Sequence, residues 1–302
     1  MGKTAFIFPG QGAQVCGMGQ DFYENSETAK AVFDRATELL GFSVPELCFE
    51  KNDRLDITEY TQAAMVTTSV AMMKVMEERG IHADVAAGLS LGEYCALVAA
   101  GVMTADDAIR TVRERGILMQ EAVPAGVGGM SAVLGMTADE INAVVDEIPN
   151  VQVANYNCPG QLVIAGEKAA LAEAIENCKA AGARRALPLA VSGAFHTPLM
   201  AKAAAELRAY VADFTFSAPK MDIYSNLDGK VYDCSDLPAH LEQHMISPVR
   251  WTQLVKNGMA AGLTSACEIG PGKTLTGFAG KISKELTCKT VQDMAGVEAA
   301  CH

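Results

Sequence analysis

The sequence predicts an α/β fold in which a small subdomain is inserted into a larger domain. In the first part of the chain, short apolar strands alternate with amphipathic helices, which is typical of a layered domain with a mostly parallel sheet. From about residue 126 the order becomes β-α-β-β-α-β, the pattern of a ferredoxin-like unit. We therefore predict a large domain at 1–125 and 193–302 and a ferredoxin-like subdomain at 126–192.

The first half of the large domain has strands and helices with clear ends. An apolar run that stops at Pro9-Gly10 predicts a buried strand, and helical periodicity closed by glycine predicts two helices. Thr104 with Asp107 favours the start of a further helix, which Pro124 ends. The predicted ranges are strands at 4–8 and 84–87 and helices at 29–40, 62–79, 91–100 and 104–123.

The inserted subdomain is predicted from its capping and turn residues. Thr137 is a helix N-cap, Asn157-Cys158-Pro159-Gly160 is a turn between two strands, and Gly182 closes the second helix. The predicted ranges are strands at 131–136, 151–156, 161–165 and 184–191 and helices at 138–148 and 168–181. The large domain then resumes with a helix from Pro198, strands at 221–225 and 265–269, and a C-terminal helix carrying Leu275, Phe278, Ile282 and Leu286.

Charge and composition exclude several classes of function. The chain has 24 basic and 36 acidic residues and a net charge of −12, so it lacks the global positive field that nucleic acid requires. No apolar run reaches the roughly 18 residues that cross a bilayer, so we predict no membrane span. The nine cysteines form no C-x-x-C pair and lie mostly in apolar segments, which indicates reduced thiols and predicts a cytoplasmic protein.

The clearest chemical motif is the run GLSLG at 88–92, which follows an apolar strand and opens a helix. Small residues on both sides of Ser90 permit a turn so sharp that the hydroxyl points out of the strand end. The N–H groups at the start of the helix would stabilise a negative oxygen at the same place. Ser90 is therefore a candidate nucleophile; the alternative is a glycine-flanked turn with an unreactive serine.

A serine nucleophile needs a base, and His196 is the best candidate among the five histidines. It follows a strand and precedes Thr197-Pro198, a helix start, whose positive end disfavours the imidazolium. The alternative is a structural histidine. His240 and His244 have helical metal-ligand spacing, but no carboxylate completes a zincin motif, so we predict no metal site.

Arg115 is a candidate anion-binding residue because the helical row it belongs to is apolar. An unpaired buried charge is expensive, and a substrate carboxylate held by the guanidinium would neutralise it. The alternatives are an arginine that reaches solvent or one paired with an acid elsewhere in the chain. The row consists of Ala108, Val112, Arg115, Met119 and Ala122.

Taken together, these motifs resemble the malonyl-CoA:acyl carrier protein transacylases, and the resemblance covers nearly the whole chain. The runs that carry it are FPGQGAQ at 8–14, GLSLGE at 88–93, RG at 115–116, NYNCPGQLVIAG at 155–166, GAFH at 193–196, PVRW at 248–251 and EIGPGK at 268–273. It implies an α/β-hydrolase-like large domain and transfer of malonyl from malonyl-CoA to the phosphopantetheine thiol of acyl carrier protein, for fatty acid synthesis. A monomer without a cofactor of its own is expected.

The resemblance also implies roles for individual residues. Ser90 would carry malonyl as an ester, His196 would activate it, and the N–H groups of Gln11 and Leu91 would form an oxyanion hole. Arg115 would bind the free carboxylate of malonate.

Further residues are implied in supporting positions. Asn155 and Asn157 would support the substrate, and Phe195 would leave little room for an α-methyl group. The chain departs from the family at Leu89, usually histidine, and at His244, typically a glutamine whose backbone carbonyl orients the catalytic histidine. A backbone role survives the second change.

Three other functions use the same residues and stay open at this level. A serine hydrolase or thioesterase would lose malonyl from Ser90 rapidly in buffer, and an inactive carrier-binding protein would retain no label from malonyl-CoA. An acyltransferase for another extender unit would prefer methylmalonyl- or acetyl-CoA.

Overall fold

The computed structural model describes residues 2–122, 126–189, 191 and 193–300. Its strands are β1 (Lys3–Phe8), β2 (Val85–Gly88), β3 (Gly128–Leu134), β4 (Val151–Cys158), β5 (Gln161–Glu167), β6 (Arg185–Pro188), β7 (Asp222–Ile223), β8 (Leu263–Ile269) and β9 (Thr287–Val291). Its α-helices are α1 (Gln20–Asn25), α2 (Glu27–Leu40), α3 (Val44–Phe49), α4 (Thr58–Glu78), α5 (Gly92–Ala99), α6 (Ala105–Ala122), α7 (Ala138–Val145), α8 (Lys168–Ala180), α9 (Ala201–Val211), α10 (Leu237–Ile246), α11 (Trp251–Ala260), α12 (Thr274–Ile282) and α13 (Met294–Ala300).

The larger sheet is parallel and buried on both faces. Its strand order is β7-β2-β1-β8-β9, and every described pairing in it is parallel. Successive side chains of a strand point to opposite faces, so Phe6 and Phe8 pack into one helical layer while Ala5 and Ile7 pack into the other, around Trp251. This layered arrangement confirms the predicted fold class.

The smaller sheet has the ferredoxin-like order β4-β5-β3-β6 and is antiparallel throughout its described pairings. The helices α7 and α8 pack on one face of it through a core of its own, which includes Ile141 and Leu171. Thr137 caps α7 through a reciprocal capping box with Glu140. The βαββαβ pattern in the sequence therefore predicted this sheet correctly.

The two sheets are joined beside Val249. The N–H of Val249 donates to the carbonyl of Ala154 at 2.8 Å, and the N–H of Tyr156 donates to the carbonyl of Val249 at 2.8 Å. An apolar cluster containing Met119, Met130 and Phe195 fills the space between α6 and the small sheet. The predicted domain boundaries fall beside residues 125 and 192, outside the described residues, and stay a prediction, as does the role of Pro124 in ending a helix.

The structure differs from the sequence prediction at the ends of elements and in elements that were not predicted. The strand predicted at 184–191 is observed as β6, with residue 190 outside the described residues, and the helix from Pro198 begins with a 3-10 turn at Pro198–Met200. The C-terminal helix stops at Ile282 because Ser283 is extended, so Leu286 lies outside it and leads into β9. Strand β9 and the helices α1, α3, α10, α11 and α13 were not predicted.

Within the described residues, no helix is both long enough and apolar enough to cross a membrane. The eight cysteines within these ranges are all free thiols.

Candidate active site

The serine turn is formed where β2 passes directly into α5. Ser90 has φ 50°, a left-handed conformation that residues with a Cβ rarely adopt. The residues two positions before and after it must be glycine because the chain is crowded: a Cβ on Gly88 would lie 1.9 Å from the carbonyl carbon of Gly92. A Cβ on Gly92 would lie 2.1 Å from the carbonyl oxygen of Phe8. The sequence therefore places the Ser90 hydroxyl at the carboxyl edge of the parallel sheet.

His196 meets this hydroxyl from a segment more than 100 residues further along the chain. Ser90 Oγ lies 2.7 Å from His196 Nε2. His196 is also left-handed, with φ 60°, and its carbonyl accepts a hydrogen bond from Gln152 Nε2 at 2.8 Å. The structure thus brings the predicted nucleophile and the predicted base into direct contact.

The tautomer of His196 follows from its other ring nitrogen. Nδ1 lies 3.0 Å from the carbonyl oxygen of His244 and 3.2 Å from that of Ser247. Carbonyl oxygens can only accept, so Nδ1 carries the proton and Nε2 presents a lone pair to Ser90. The His244 carbonyl therefore occupies the position that the family resemblance implied, and the Ser247 carbonyl is an additional acceptor.

Burial keeps the imidazole neutral. Desolvation, together with the nearby Arg115 cation, lowers the pKa of His196 from 6.5 to about 4, against a smaller opposing effect of the two carbonyl acceptors. The helix start at Thr197-Pro198 is present, but burial and Arg115 are the larger causes. A neutral imidazole at neutral pH can accept the serine proton.

Arg115 is buried, 1 % exposed, and points toward the same hydroxyl. In the described part of the chain its hydrogen-bond partners are uncharged: Nη1 donates to Gln62 Oε1 at 2.7 Å and Nη2 to Ser90 Oγ at 3.4 Å. Its Nε finds no acceptor among these residues, and burial lowers the pKa of the guanidinium. A cation held this way has donors free for a ligand carboxylate.

A pocket of about 300 Å³ opens between the two sheets at this point. The predicted site residues line it together with an apolar wall from the small subdomain, so both parts of the chain contribute. The lining residues predicted from sequence are Gln11, Ser90, Leu91, Arg115, Asn155, Asn157, Phe195 and His196. His244 does not line it and acts only through its carbonyl.

Two backbone N–H groups at the pocket, those of Gln11 and Leu91, are candidate oxyanion donors. The loop after β1 lies against the serine turn so closely that a Cβ on Gly10 would sit 2.6 Å from the Leu89 carbonyl oxygen. Gln11 and Leu91 both line the pocket. Within the described ranges neither N–H is paired with an acceptor. An alkoxide formed next to Ser90 would find two unengaged donors.

Three polar residues that bond to the site residues were not predicted from the sequence. Gln62 fixes Arg115, Gln152 fixes the His196 backbone, and Asn226 bonds to the serine turn. Gln62 was detectable in principle, because it is the only amide side chain in α4 and is followed by four apolar residues, AAMV. Gln152 and Asn226 carry no comparable local signal.

The histidine pair on α10 forms a separate buried cluster. His240 Nε2 bonds to Glu93 Oε1, and His244 Nε2 lies 3.9 Å from Glu93 Oε2. The Glu93 carboxylate lies on α5, so no motif within α10 could have predicted this contact. In the described part of the chain, no three or more histidine, cysteine, aspartate or glutamate side chains are grouped so that they could hold a metal ion.

A serine–histidine pair at the end of a parallel strand, with oxyanion donors and a buried cation, defines an acyl-transfer site in an α/β enzyme. Comparison with known proteins agrees with this assignment to acyl transfer. The model of the acyl transferase domain family matches residues 5–298, so the chain belongs to that family.

The relatives are similar over their full length. A malonyl CoA-acyl carrier protein transacylase of Bacillus subtilis is 42 % identical, with 99 % of this chain and 96 % of that protein covered. The crystal structure of an acyl carrier protein S-malonyltransferase from Vibrio cholerae has a TM-score of 0.94 at 41 % identity, covering 98 % of this chain and 99 % of that one. A malonyl-transacylase in complex with its type II PKS acyl-carrier protein gives 0.96 at 39 % identity, covering 99 % and 98 %.

Proposed function

We propose that this enzyme transfers the malonyl group of malonyl-CoA to the phosphopantetheine thiol of acyl carrier protein, supplying the extender unit for fatty acid synthesis. The observation that carries the proposal is the 2.7 Å contact of Ser90 Oγ with His196 Nε2, beside a buried Arg115 whose Nη2 is 3.4 Å from the same oxygen. The names of the full-length relatives support the substrates.

The first half-reaction loads the enzyme. His196 Nε2 takes the Ser90 proton as Oγ attacks the thioester carbonyl, and the resulting oxyanion accepts hydrogen bonds from the N–H groups of Gln11 and Leu91. The C–S bond then breaks, and the departing sulfur takes the proton from His196. Malonyl remains as an ester on Ser90, and free coenzyme A leaves.

The second half-reaction reverses these steps with a new thiol. The thiol of the phosphopantetheine arm gives its proton to His196 and attacks the ester carbonyl, and the same donors stabilise the oxyanion. The C–O bond breaks and Ser90 recovers the proton. The products are malonyl-acyl carrier protein and free enzyme, so the cycle is ping-pong and needs no cofactor beyond the groups that the two substrates bring.

Arg115 is proposed to select malonyl by its carboxylate. Gln62 orients the guanidinium, and the donors left over face the pocket. An acyl group without a carboxylate leaves the buried cation uncompensated, at a cost of about 1–3 kcal/mol. Phe195, 6 % exposed, adds bulk to the wall and disfavours an α-methyl group.

Asn155 and Asn157 are proposed to support the bound acyl and pantetheine groups. Both are nearly buried and line the pocket, and Asn157 Oδ1 finds no donor among the described residues. It is therefore free to accept from an amide N–H of the pantetheine arm.

The remaining assignments follow from the same proposal. We propose that acyl carrier protein and malonyl-CoA are its only partners, that it acts as a monomer and that it works in the cytoplasm. The free thiols of the described residues support a reducing compartment.

Intact-protein mass spectrometry after a pulse of malonyl-CoA tests the proposal. We expect the wild type to gain one malonyl group, to keep it in buffer, and to lose it when a thiol acceptor, holo-acyl carrier protein or free coenzyme A, is added. The matched control, Ser90→Ala, gains nothing. Rapid loss of the adduct in buffer alone would instead make the protein a thioesterase, and no adduct at all would make it a binding protein.

A further inference from the structure

One fully buried asparagine holds the serine turn from behind. Asn226 follows β7, which pairs in parallel with β2 in the register Val85 to Asp222 and Ala86 to Ile223. The carboxyl ends of these strands therefore meet, and Asn226 lies under the turn at Ser90. Its exposure is 0 %, and it is not among the residues that line the active-site pocket.

The side-chain amide of Asn226 bridges the two sides of the turn. Oδ1 accepts a hydrogen bond from the N–H of Ser90 at 2.7 Å, and Nδ2 donates to the carbonyl of Gly88 at 2.7 Å. Its backbone N–H donates to Glu93 Oε2 at 2.9 Å, and its carbonyl accepts from the N–H of Arg250 at 2.9 Å. The residue is thus tied to four separate points and has little freedom to move.

These bonds decide which backbone N–H groups face the substrate. The left-handed conformation of Ser90 is sparsely populated and has to be imposed by its surroundings. Because Asn226 takes the Ser90 N–H, that donor points away from the pocket. The next N–H along the chain, that of Leu91, is left for the oxyanion.

Glu93 ties this arrangement to the nucleophile helix. It is 1 % exposed, it lies on α5, and its N–H donates to the Ser90 carbonyl at 3.0 Å. Its carboxylate holds the Asn226 backbone with one oxygen and His240 with the other. Asn226 is therefore fixed relative to the same helix that begins at the serine.

We propose that Asn226 is a positioning residue for Ser90, setting both the direction of the hydroxyl toward His196 and the direction of the Leu91 N–H. The inference rests on the proposed function, since it concerns the same serine. Asn226 does not itself line the pocket, so its loss slows acyl transfer and leaves substrate binding unchanged. Removing Arg115, by contrast, weakens malonyl binding itself.

The test compares two substitutions at this position with a matched amide elsewhere. Asn226→Ala removes both bonds, and Asn226→Asp keeps the volume and the acceptor for Ser90 but sets an oxygen against the Gly88 carbonyl. The control is Asn257→Ala, because Asn257 Nδ2 donates to the carbonyl of Gly229, also at 2.7 Å, in the loop after β7 but away from Ser90. Circular dichroism verifies that each variant is folded.

We expect kcat for malonyl transfer to fall about 30- to 100-fold in Asn226→Ala and about 10-fold or more in Asn226→Asp, with KM for malonyl-CoA within about 3-fold of the wild type. Asn257→Ala keeps the wild-type kcat. If Asn226→Ala does not fold, the isosteric variant Asn226→Asp tests whether Asn226 positions the serine.

Rapid-quench mass spectrometry of the Ser90 adduct separates this inference from the proposed function. If the wild type forms no adduct, the proposed function fails and the inference falls with it. If the wild type forms the adduct and a folded Asn226 variant forms it equally fast, or if only KM changes, Asn226 does not position the serine and the inference alone is overturned.

Discussion

At the scale of single residues, the site depends on a histidine that burial keeps uncharged. His196 is 3 % exposed, its Nδ1–H donates hydrogen bonds to two backbone carbonyls, and its neighbour Arg115 adds a positive charge. Each of these facts except the carbonyl contacts favours the neutral ring. The same burial leaves Arg115 without a carboxylate partner in the described part of the chain, so the proposed mechanism assigns the base to His196 and the acyl preference to Arg115.

The rate of acyl transfer should therefore change little as the pH falls moderately below neutrality. Because the pKa of His196 is lowered to about 4, the base stays unprotonated until well below pH 6, and kcat/KM for malonyl-CoA should be flat from pH 8 to 6 and fall with a midpoint near 4. A steady-state pH profile measures this. A midpoint near the ordinary value of 6.5 would contradict the buried, neutral histidine.

The same shift affects stability in a stated direction. An unfolded chain takes up the His196 proton near pH 6.5, whereas the folded chain resists it to about 4, so this residue lowers the free energy of unfolding as pH falls through that window. In His196→Gln the loss of stability between pH 7 and 5 should be smaller, as urea titrations at both pH values will show. An equal loss in both proteins would argue against the shifted pKa.

Replacing Arg115 by alanine should change the acyl preference. The variant loses the malonyl carboxylate contact, so kcat/KM for malonyl-CoA should fall about 10- to 200-fold while acetyl-CoA gains relative to it. Adduct formation on Ser90 with each thioester is the measurement. An unchanged malonyl preference would remove Arg115 from the site.

At the scale of elements, the crowded crossing of β1, β2 and α5 explains why the serine turn tolerates so little change. Gly92 is the first residue of α5, and a Cβ on it would lie 2.1 Å from the carbonyl oxygen of Phe8. Gly280 is inside α12, and a Cβ there would have open space. The two glycines therefore separate the effect of close packing from that of helix propensity.

Substitution by alanine should move stability in opposite directions at these two positions. Gly92→Ala should lower the free energy of unfolding by about 1–3 kcal/mol or more, because backbone must shift. Gly280→Ala should raise it by about 0.5–1 kcal/mol, since alanine favours the helix. Urea unfolding of both variants gives the answer, and a stable, fully active Gly92→Ala protein would show that the turn is looser than described.

The sequence predicted the elements that have strong local signals and missed those set by tertiary contacts. The turn at Ser90, the helix start at Thr197 and the buried Arg115 are visible in residue type and spacing. Asn226 and Gln152 are not, because their importance comes from strands and loops that meet only in the folded chain. The strand β9 was missed for a similar reason: it forms an edge of the parallel sheet, and its pattern alone is weak.

At the scale of the whole molecule, the pocket lies between two sheets on a protein with a net charge of −12. An acidic carrier protein is repelled by that charge and has to be received by local cations. Lys281 is an exposed cation beside the pocket, since its Nζ donates to Gln161 Oε1, a pocket residue, at 3.1 Å, and we expect it to take part in this contact.

Reversing this charge should weaken the second half-reaction. In Lys281→Glu we expect KM for acyl carrier protein to rise about 3- to 10-fold at low salt and the difference to shrink near about 0.5 M salt. Lys202→Glu, at an exposed lysine of α9 outside the pocket, is the control and should show no such change. Equal effects from both reversals would mean that only net charge matters.

The central claim is that malonyl becomes covalently attached to Ser90 before any carrier protein takes part. Exchange of isotopically labelled coenzyme A into malonyl-CoA, measured with no carrier protein present, tests it most directly. The wild type should catalyse this exchange, while Ser90→Ala should not and His196→Ala should be slower by a factor of about 100 or more. Malonyl transfer to carrier protein without any such exchange would contradict the claim, because it would require direct transfer between the two thiols.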